Sequence, residues 1–423
     1  MTDYSKLIEQ AETALAPRFK EIERTSERLT ARVLAAFKNN RVSETSFAST
    51  NGYGLDDTGR DTLDKIYAEV FGCEAAFVRH SIVSGTHALT IGLFALLRPG
   101  DVLLSLTGKP YDTLDEVIGI SGEAGRGSLL DFGVRYRAVA LKADGSPDYD
   151  GIAAALREEG DAVKVAFIQR SKGYLDRPTL TVSEIGRLAA FVKERTSGAY
   201  VVVDNCYGEF TEEAEPVAVG ADLMIGSLIK NPGGGMAESG GYLAGRADAV
   251  KLVACRATAP GIGAEEGATL GQNRNLYKGL FYAPHSVAQA LKTMHLAAYL
   301  FAALGFEVEP SWDTPRSDII QTVRCKTADN LVAFCRGIQA GSPVDAFVTC
   351  EPWDMPGYSS PVVMAAGTFV QGSSLELSAD GPIRPPFNAY LQGGLTYESG
   401  KIGILSALDA VLKKQAENGG GTK

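Results

Sequence analysis

No stretch of this 423-residue chain stays apolar for the roughly 18–20 residues that a membrane-spanning helix requires. The N-terminus, MTDYSKLIEQAETALAPRFKEIER, is too charged for the apolar part of a secretory signal, so a cytoplasmic protein is expected. Basic tracts are missing as well. With 41 Lys and Arg against 51 Asp and Glu the formal net charge is −10, the opposite of what displaces counterions from a phosphate backbone. Neither nucleic acid nor a membrane is an expected partner. Six cysteines (Cys73, Cys206, Cys255, Cys325, Cys335 and Cys350) occur without a CxxC pair, which gives no sign of a disulfide framework or a thiolate metal site. The four histidines (His80, His87, His285 and His295) show no HExxH spacing, so no metal centre is expected. The acidic run at Glu212, Glu213 and Glu215 reads as a solvated loop. Neither GxGxxG nor GxxxxGK[ST] occurs, which removes the usual fingerprints of dinucleotide and P-loop sites.

What the sequence has in quantity is alternation. Residues 18–38 space their apolar positions as one helical face, and the polar, turn-rich SETSFASTNGYGLDDTGRD follows as an arm. From Asp61 onward come the helix TLDKIYAEVFG, the strand AAFVRHSIV, the helix THALTIGLFALL, the strand DVLLSLT and a helix around YDTLDEVIGIS. The runs RYRAVAL, VKVAFIQR, AYVVVDN and ADLMIGSLI continue the series, separated by the helical YDGIAAALREEG and TVSEIGRLAAFVKERTSG. Strands that are apolar throughout and flanked by helices predict an α/β domain whose mostly parallel sheet is covered on both faces. A long helix near His285 to Leu304, strands FEVEPSW, IIQTVRC and TFVQGSSLELS, and a closing helix KIGILSALDAVLKKQ predict a smaller C-terminal α+β domain. The expected organisation is an N-terminal helix and arm over 1–60, a large domain over 61–284, and a linking helix with the small domain over 285–423. The tail ENGGGTK is expected to lack structure.

Ligands of such sheets bind at the carboxyl ends of the strands. AAFVRHSIV runs into SGTHALTIG, so Ser84, Gly85 and Thr86 open a helix whose free amides and positive dipole end favour a phosphate; the same residues also make an ordinary helix cap. AYVVVDN ends in Asp204, either a turn former or a carboxylate held in low dielectric for a buried cation. ADLMIGSLIKNPGGG then places Ser227 and Lys230 after the next strand. The lysine could be a solvated strand end, a phosphate contact or an amine for carbonyl chemistry. In combination, a helix end, an acid and an amine are what pyridoxal 5'-phosphate requires for its phosphate, ring nitrogen and aldehyde.

At these residues the chain resembles the fold-type I enzymes that use pyridoxal phosphate, and among them the Cys/Met-metabolism branch of cystathionine and methionine lyases. Along most of its length it is similar to the methionine gamma-lyase-like, cystathionine beta-lyase-like group called aluminium-resistance proteins. The similarity is carried by GYGLDDTGRDTLDKIYAEVFG, RHSIVSGTHAL, IQRSKGYLDRP, VDNCYGEF, GSLIKNPGGGMAESGGYLAG and ELSADGPIRPPF. The resemblance implies that Lys230 is the Schiff-base lysine, that Asp204 partners the pyridine nitrogen, and that Ser84, Gly85, Thr86 and Ser227 cradle the phosphate. Tyr111, in GKPYDTL, is similar in spacing to the ring-stacking tyrosine of these lyases, and a tyrosine there can also transfer protons. Tyr53 and Arg60 resemble the arm that reaches a neighbouring subunit's phosphate, with the family's Tyr-x-Arg order replaced by a wider spacing. Arg384 is the candidate for the substrate's α-carboxylate, which a guanidinium fork binds bidentately; the turn QGGLTYE, where the lyases' usual arginine would precede, has none. Gln169, Arg170 and Ser171 end another strand and could touch the cofactor's ring oxygen or the substrate.

The resemblance further implies a homodimer, or a homotetramer of two such dimers, with the active site at the dimer interface. The activity it implies is that of a carbon–sulfur lyase acting on a cystathionine-, methionine- or cysteine-like amino acid by β- or γ-elimination. Two alternatives stay open: an aminotransferase or aldolase-type enzyme of the same fold, and a catalytically degenerate member with a regulatory or metal-tolerance role.

Overall fold

The computed structural model describes residues 4–53, 57–175, 177–355, 358 and 360–419. The chain forms two compact units, one of Leu29–Phe281 and one that joins Met1–Arg28 to Tyr282–Lys423. Among the described residues no helix is long and apolar enough to cross a membrane.

The chemistry-bearing segments lie in the first unit. In chain order its elements are the latter part of α1 (Ser5–Asn39), α2 (Thr58–Phe71), β1 (Ala75–Arg79), α3 (Gly85–Leu96), β2 (Val102–Ser105), the single turn α4 (Asp115–Ile118), β3 (Arg135–Ala138), α5 (Tyr149–Glu159), β4 (Val163–Gln169), α6 (Val182–Lys193), β5 (Tyr200–Asp204), β6 (Leu223–Ser227), β7 (Gly241–Gly245), α7 (Ala247–Ala257) and the start of α8 (Asn273–Ala303). The seven strands form one sheet in the order β1-β7-β6-β5-β4-β2-β3. β2, β3, β4, β5 and β6 pair in parallel, whereas β7 is antiparallel to both β6 and β1. Two reversals cancel, so β1 runs in the same direction as β6. The carboxyl end of β1, and the helix α3 that follows it, therefore arrive at the same sheet edge as the ends of β4, β5 and β6.

Burial holds this arrangement. Leu103, Val165, Phe167, Val202, Ile225 and Leu243 from successive strands form one buried cluster with Leu89, Ile91 and Leu93 of α3. Each such side chain contributes about 1.5–3 kcal/mol relative to exposure. β7, GYLAG, is the strand the sequence pattern conceals, because its flanking glycines read as a continuation of the loop after Lys230. Its Tyr242, Leu243 and Ala244 are nevertheless fully buried, the strand lying between β1 and β6. The helix expected around YDTLDEVIGIS is reduced to a 3-10 turn over Asp112–Leu114 and the four residues of α4, ended by Gly119 at φ +101°. α6 begins with a reciprocal cap in which Thr181 Oγ1 accepts the Glu184 amide at 3.1 Å and Glu184 Oε2 accepts the Thr181 amide at 2.7 Å. Thr181→Ala is expected to cost about 1 kcal/mol, read as a lower denaturant midpoint with an unchanged slope.

The second unit contains the first part of α1, the rest of α8, β8 (Val308–Glu309), β9 (Ile320–Arg324), α9 (Ala328–Ala340), β10 (Val362–Ala365), β11 (Ser378–Pro382), β12 (Asn388–Gln392) and α10 (Tyr397–Gly419). Its sheet is antiparallel throughout, in the order β10-β11-β12-β9-β8. Ala11 and Leu15 of α1 are buried with Met294, Phe301, Phe334 and Leu408. That burial is why the start of α1 belongs with this unit, whereas its latter part belongs with the first. The strand expected over TFVQGSSLELS does not form. Glu376 accepts the amides of Phe369 at 2.7 Å and Val370 at 3.0 Å, which closes the segment into a loop before β11 starts at Ser378. The expected tail ENGGGTK begins inside α10, and its last four residues lie outside the described ones.

Candidate active site

Parallel register sets the floor of the site. Gln169 at the end of β4 lies beside Asp204 at the end of β5, and Asp204 lies beside Ile225 of β6, two residues before Ser227. A cleft at this edge is lined by Gly85, Thr86, Tyr111, Asp204, Cys206 and Lys230, with Leu89, Thr113, Gln169, Ser171, Gly173 and Tyr207 completing its wall. It opens to solvent at its mouth.

Each wall is positioned by local chemistry. Ser84 caps α3 by accepting the His87 amide at 3.0 Å, which leaves the first-turn amides of Gly85 and Thr86 without an intrahelical partner. A methyl group at Gly85 would lie 3.5 Å from both Cys206 Sγ and Ser227 Cβ, so the helix start sits directly against the ends of β5 and β6. Thr86 donates to Thr113 Oγ1 at 2.9 Å and so ties the helix to the turn that presents Tyr111. Opposite, Gly173 adopts φ +56° and a Cβ there would approach Tyr111 Cδ2 to 2.8 Å, which reserves this position for glycine. Tyr111 and Tyr174 meet edge to face with centroids 6.0 Å apart.

The charged groups are close and poorly solvated. Lys230 Nζ stands 3.9 Å from the centroid of the Tyr207 ring. Asp204 is buried and its Oδ1 accepts the Cys206 amide at 3.1 Å. Burial raises the Asp204 carboxyl, and the positive charge of Lys230, the Cys206 hydrogen bonds and Arg177 only partly offset this. Burial also pushes the Cys206 thiol well above its ordinary value, with the Asp204 charge adding to the effect. For Lys230, burial disfavours the ammonium, but the acidic neighbours Cys206, Tyr207 and Asp204 oppose it. The amine is held above its ordinary range.

Seven residues singled out from the sequence meet around this cleft: Gly85, Thr86, Tyr111, Gln169, Ser171, Asp204 and Lys230. Ser84 and Ser227 stand just behind them, Ser227 with its hydroxyl toward the Gly240 carbonyl at 3.5 Å. Arg170 is placed differently from the expectation that it touches cofactor or substrate. It is fully buried beneath the strand ends, donating to Asn205 Oδ1 at 2.8 Å and Glu212 Oε1 at 2.8 Å, with Glu215 at 3.7 Å. That pairing also corrects the reading of the acidic run, since Glu215 is buried and Glu212 half-buried around this one guanidinium, and neither is a solvated loop residue. Arg60 is buried as well, its guanidinium bonded to the carbonyls of Glu265 at 3.1 Å and Gly267 at 3.4 Å and paired with Asp61. Tyr53 is 83% exposed and does not line the cleft, and the residues that follow it, Gly54 to Asp56, lie outside the described ones. Arg384 belongs to the other unit, exposed in the turn after β11.

Leu89, Thr113, Gly173, Cys206 and Tyr207 are the lining residues that sequence reasoning does not assign to the site. Gly173 and Tyr207 lie inside the motifs IQRSKGYLDRP and VDNCYGEF, so the signal was present but not resolved to single residues.

Comparison with known proteins gives the same reading of the chain. The family model described as methionine gamma-lyase matches residues 4–412. The Bacillus subtilis protein YnbB is 53% identical over 410 residues, 97% of each chain. The crystal structure of a carbon–sulfur lyase involved in aluminum resistance from Clostridium novyi is 49% identical, covers 96% of this chain and 95% of its own, and superposes with a TM-score of 0.92. At 21% identity and a TM-score of 0.56, CalE6, a methionine gamma lyase from Micromonospora echinospora, shares the fold. The family match runs through both units and takes in every residue that lines the cleft, and the chain therefore belongs to the methionine gamma-lyase family.

Proposed function

We propose that the protein is a pyridoxal phosphate-dependent carbon–sulfur lyase. An amino acid carrying sulfur at Cβ or Cγ, together with water, gives a thiol, ammonia and a 2-oxo acid. The observation that carries this reading is the convergence on one cleft of a lysine amine, a buried carboxyl from the neighbouring strand end, and the first-turn amides of a helix.

The residues present fit the cofactor. The amides of Gly85 and Thr86 suit a phosphate, Asp204 suits a protonated ring nitrogen, Lys230 suits the aldehyde, and Tyr111 offers an aromatic face. Gln169 adds a buried Oε1 that has no hydrogen-bond partner among the described residues, next to this cleft. When bound, pyridoxal phosphate supplies the electron sink that makes removal of an α-proton feasible. Lys230 would hold the cofactor through its amine and, as a neutral amine, would take that proton. Asp204 would keep the ring nitrogen protonated, and engaging its charge there would loosen its hold on the Lys230 ammonium. The Tyr111 hydroxyl gives a proton to the departing thiolate.

The working form is a homodimer or a tetramer of dimers. The exposure of Tyr53, together with that of Val83 and Leu270 in the same unit, supports a face that a second copy covers. Arg384 is the candidate fork for the substrate's α-carboxylate. The test is a screen of cystathionine, methionine and cysteine with the cofactor-loaded protein, assaying thiol, ammonia and 2-oxo acid together. Equal yields of all three support the lyase; a 2-oxo acid formed without thiol or ammonia identifies a transaminating enzyme and overturns the proposal.

A further inference from the structure

One acid lies behind the cleft and has no part in the chemistry above. Glu209 is completely buried in the turn that follows β5. Its Oε1 accepts the Tyr242 hydroxyl of β7 at 2.7 Å, its Oε2 has no partner, and no cation pairs with it among the described residues. The chain holds this acid in place at a cost. Tyr207 and Phe210, on either side of it, adopt φ +74° and +61°, a region that bulky residues avoid. Gly226 of β6 has no room for a side chain, because a Cβ there would meet both Glu209 Oε1 and the Tyr242 ring at 2.5 Å. The glycine that opens GSLIKNPGGG thus makes space for an acid instead of loosening a loop.

The same turn is bound to the reactive lysine. Asn231, the residue after Lys230, donates to the Tyr207 carbonyl at 3.0 Å and the Glu209 carbonyl at 2.9 Å, and the Tyr207 ring lies under Lys230 Nζ. Facing Glu209 are Tyr242 from β7, Tyr67 from α2, Cys206 from its own turn, Glu215 from the following loop with its charge answered by Arg170, and Lys230.

We propose that Glu209 is a positioning residue for Lys230, the buried acid that sets how readily the lysine amine gives up its proton. This rests on Lys230 being the reactive amine of the lyase reading. A fully buried carboxyl with few donors and no paired cation holds its proton more tightly. Burial above all, and the Glu215 charge, raise it, the Tyr242 hydroxyl, its own backbone amide and Lys230 pull the other way, and it is pushed up to about 8. While Glu209 is neutral, it adds no charge to the acidic groups Cys206, Tyr207 and Asp204 around Lys230. Once Glu209 ionises, a second anion stabilises the ammonium and the free amine becomes scarcer.

The experiment measures the rate at which a small acylating reagent labels Lys230 in the cofactor-free protein, by quantifying the Lys230 peptide across roughly pH 7 to 12, a range that brackets the ordinary lysine value of about 10.4. In Glu209→Gln the labelling curve is expected to move to lower pH by roughly one unit, the scale of one nearby charge. Tyr242→Phe, which removes the donor that favours the ionised acid, moves the curve in the same direction and serves if the first variant does not fold. Superimposable curves for the wild type and both variants overturn the proposal. A structural role alone would change stability and leave these curves in place. Because no cofactor is present, a shifted curve in a protein that fails to attach pyridoxal phosphate upholds the role of Glu209 while the lyase reading falls, and attachment without a shift does the reverse. Stability provides a second readout. The folded state keeps the Glu209 proton up to about 8, whereas the unfolded chain releases it near 4.5, so the wild type loses stability relative to Glu209→Gln as pH rises through that window.

Discussion

Lys230→Ala abolishes elimination, with a fall of at least about 10³-fold expected when nucleophile and base are lost together. The reason is local. Lys230 is the lining residue whose amine stands over Tyr207 beside the buried Asp204, at the carboxyl edge of the sheet. In the wild type, borohydride is expected to fix pyridoxal phosphate on the Lys230 peptide and to erase the visible absorption of the bound cofactor; in the variant no peptide carries it. Lys230→Arg separates two roles, because it keeps a cation over the ring but cannot join the aldehyde. If Lys230→Arg retains elimination, the lysine acts only as a charge, and the covalent role fails.

Asp204→Asn is the second large effect. The substitution keeps size and an acceptor at the end of β5 but removes the charge that, on the proposed reading, holds the ring nitrogen protonated. With the electron sink weakened, kcat is expected to fall by roughly 10²–10⁴-fold, a barrier rise of about 3–5 kcal/mol. Covalent attachment to Lys230 persists in this variant, so attachment and turnover separate. Full activity of Asp204→Asn would remove Asp204 from the mechanism. In the cofactor-free protein the raised carboxyl of Asp204 adds to that of Glu209. Both hold protons that the unfolded chain has released, so the contribution of each to stability is lost as pH rises through its folded value.

Local pattern was enough for the residues that point along their own strands. Asp204 ends a run of valines and Lys230 follows an apolar strand, so their emergence at one edge follows from parallel pairing alone. Gly85 and Thr86 were legible for the same reason, as the first turn of a helix entered from a strand. Arg170 was not. It is adjacent in sequence to the lining residues Gln169 and Ser171, but successive side chains of a strand point to opposite faces, and the face it takes holds Asn205, Glu212 and Glu215. The acidic run looked solvated because its cation lies about forty residues earlier in the chain, at a separation that no local pattern reports.

The sequence by itself determined the alternation of strand and helix, the acid and amine at the strand ends, and the family. Strand periodicity and motif spacing are local properties, and they survive without knowledge of the fold. Tertiary structure alone decided that β7 enters the sheet between β1 and β6, that the start of α1 completes the core of the second unit, and that the turn carrying Glu209 is bound to the residue after Lys230. Each of these depends on which distant surfaces exclude water from one another, and that is fixed only when the whole chain has packed.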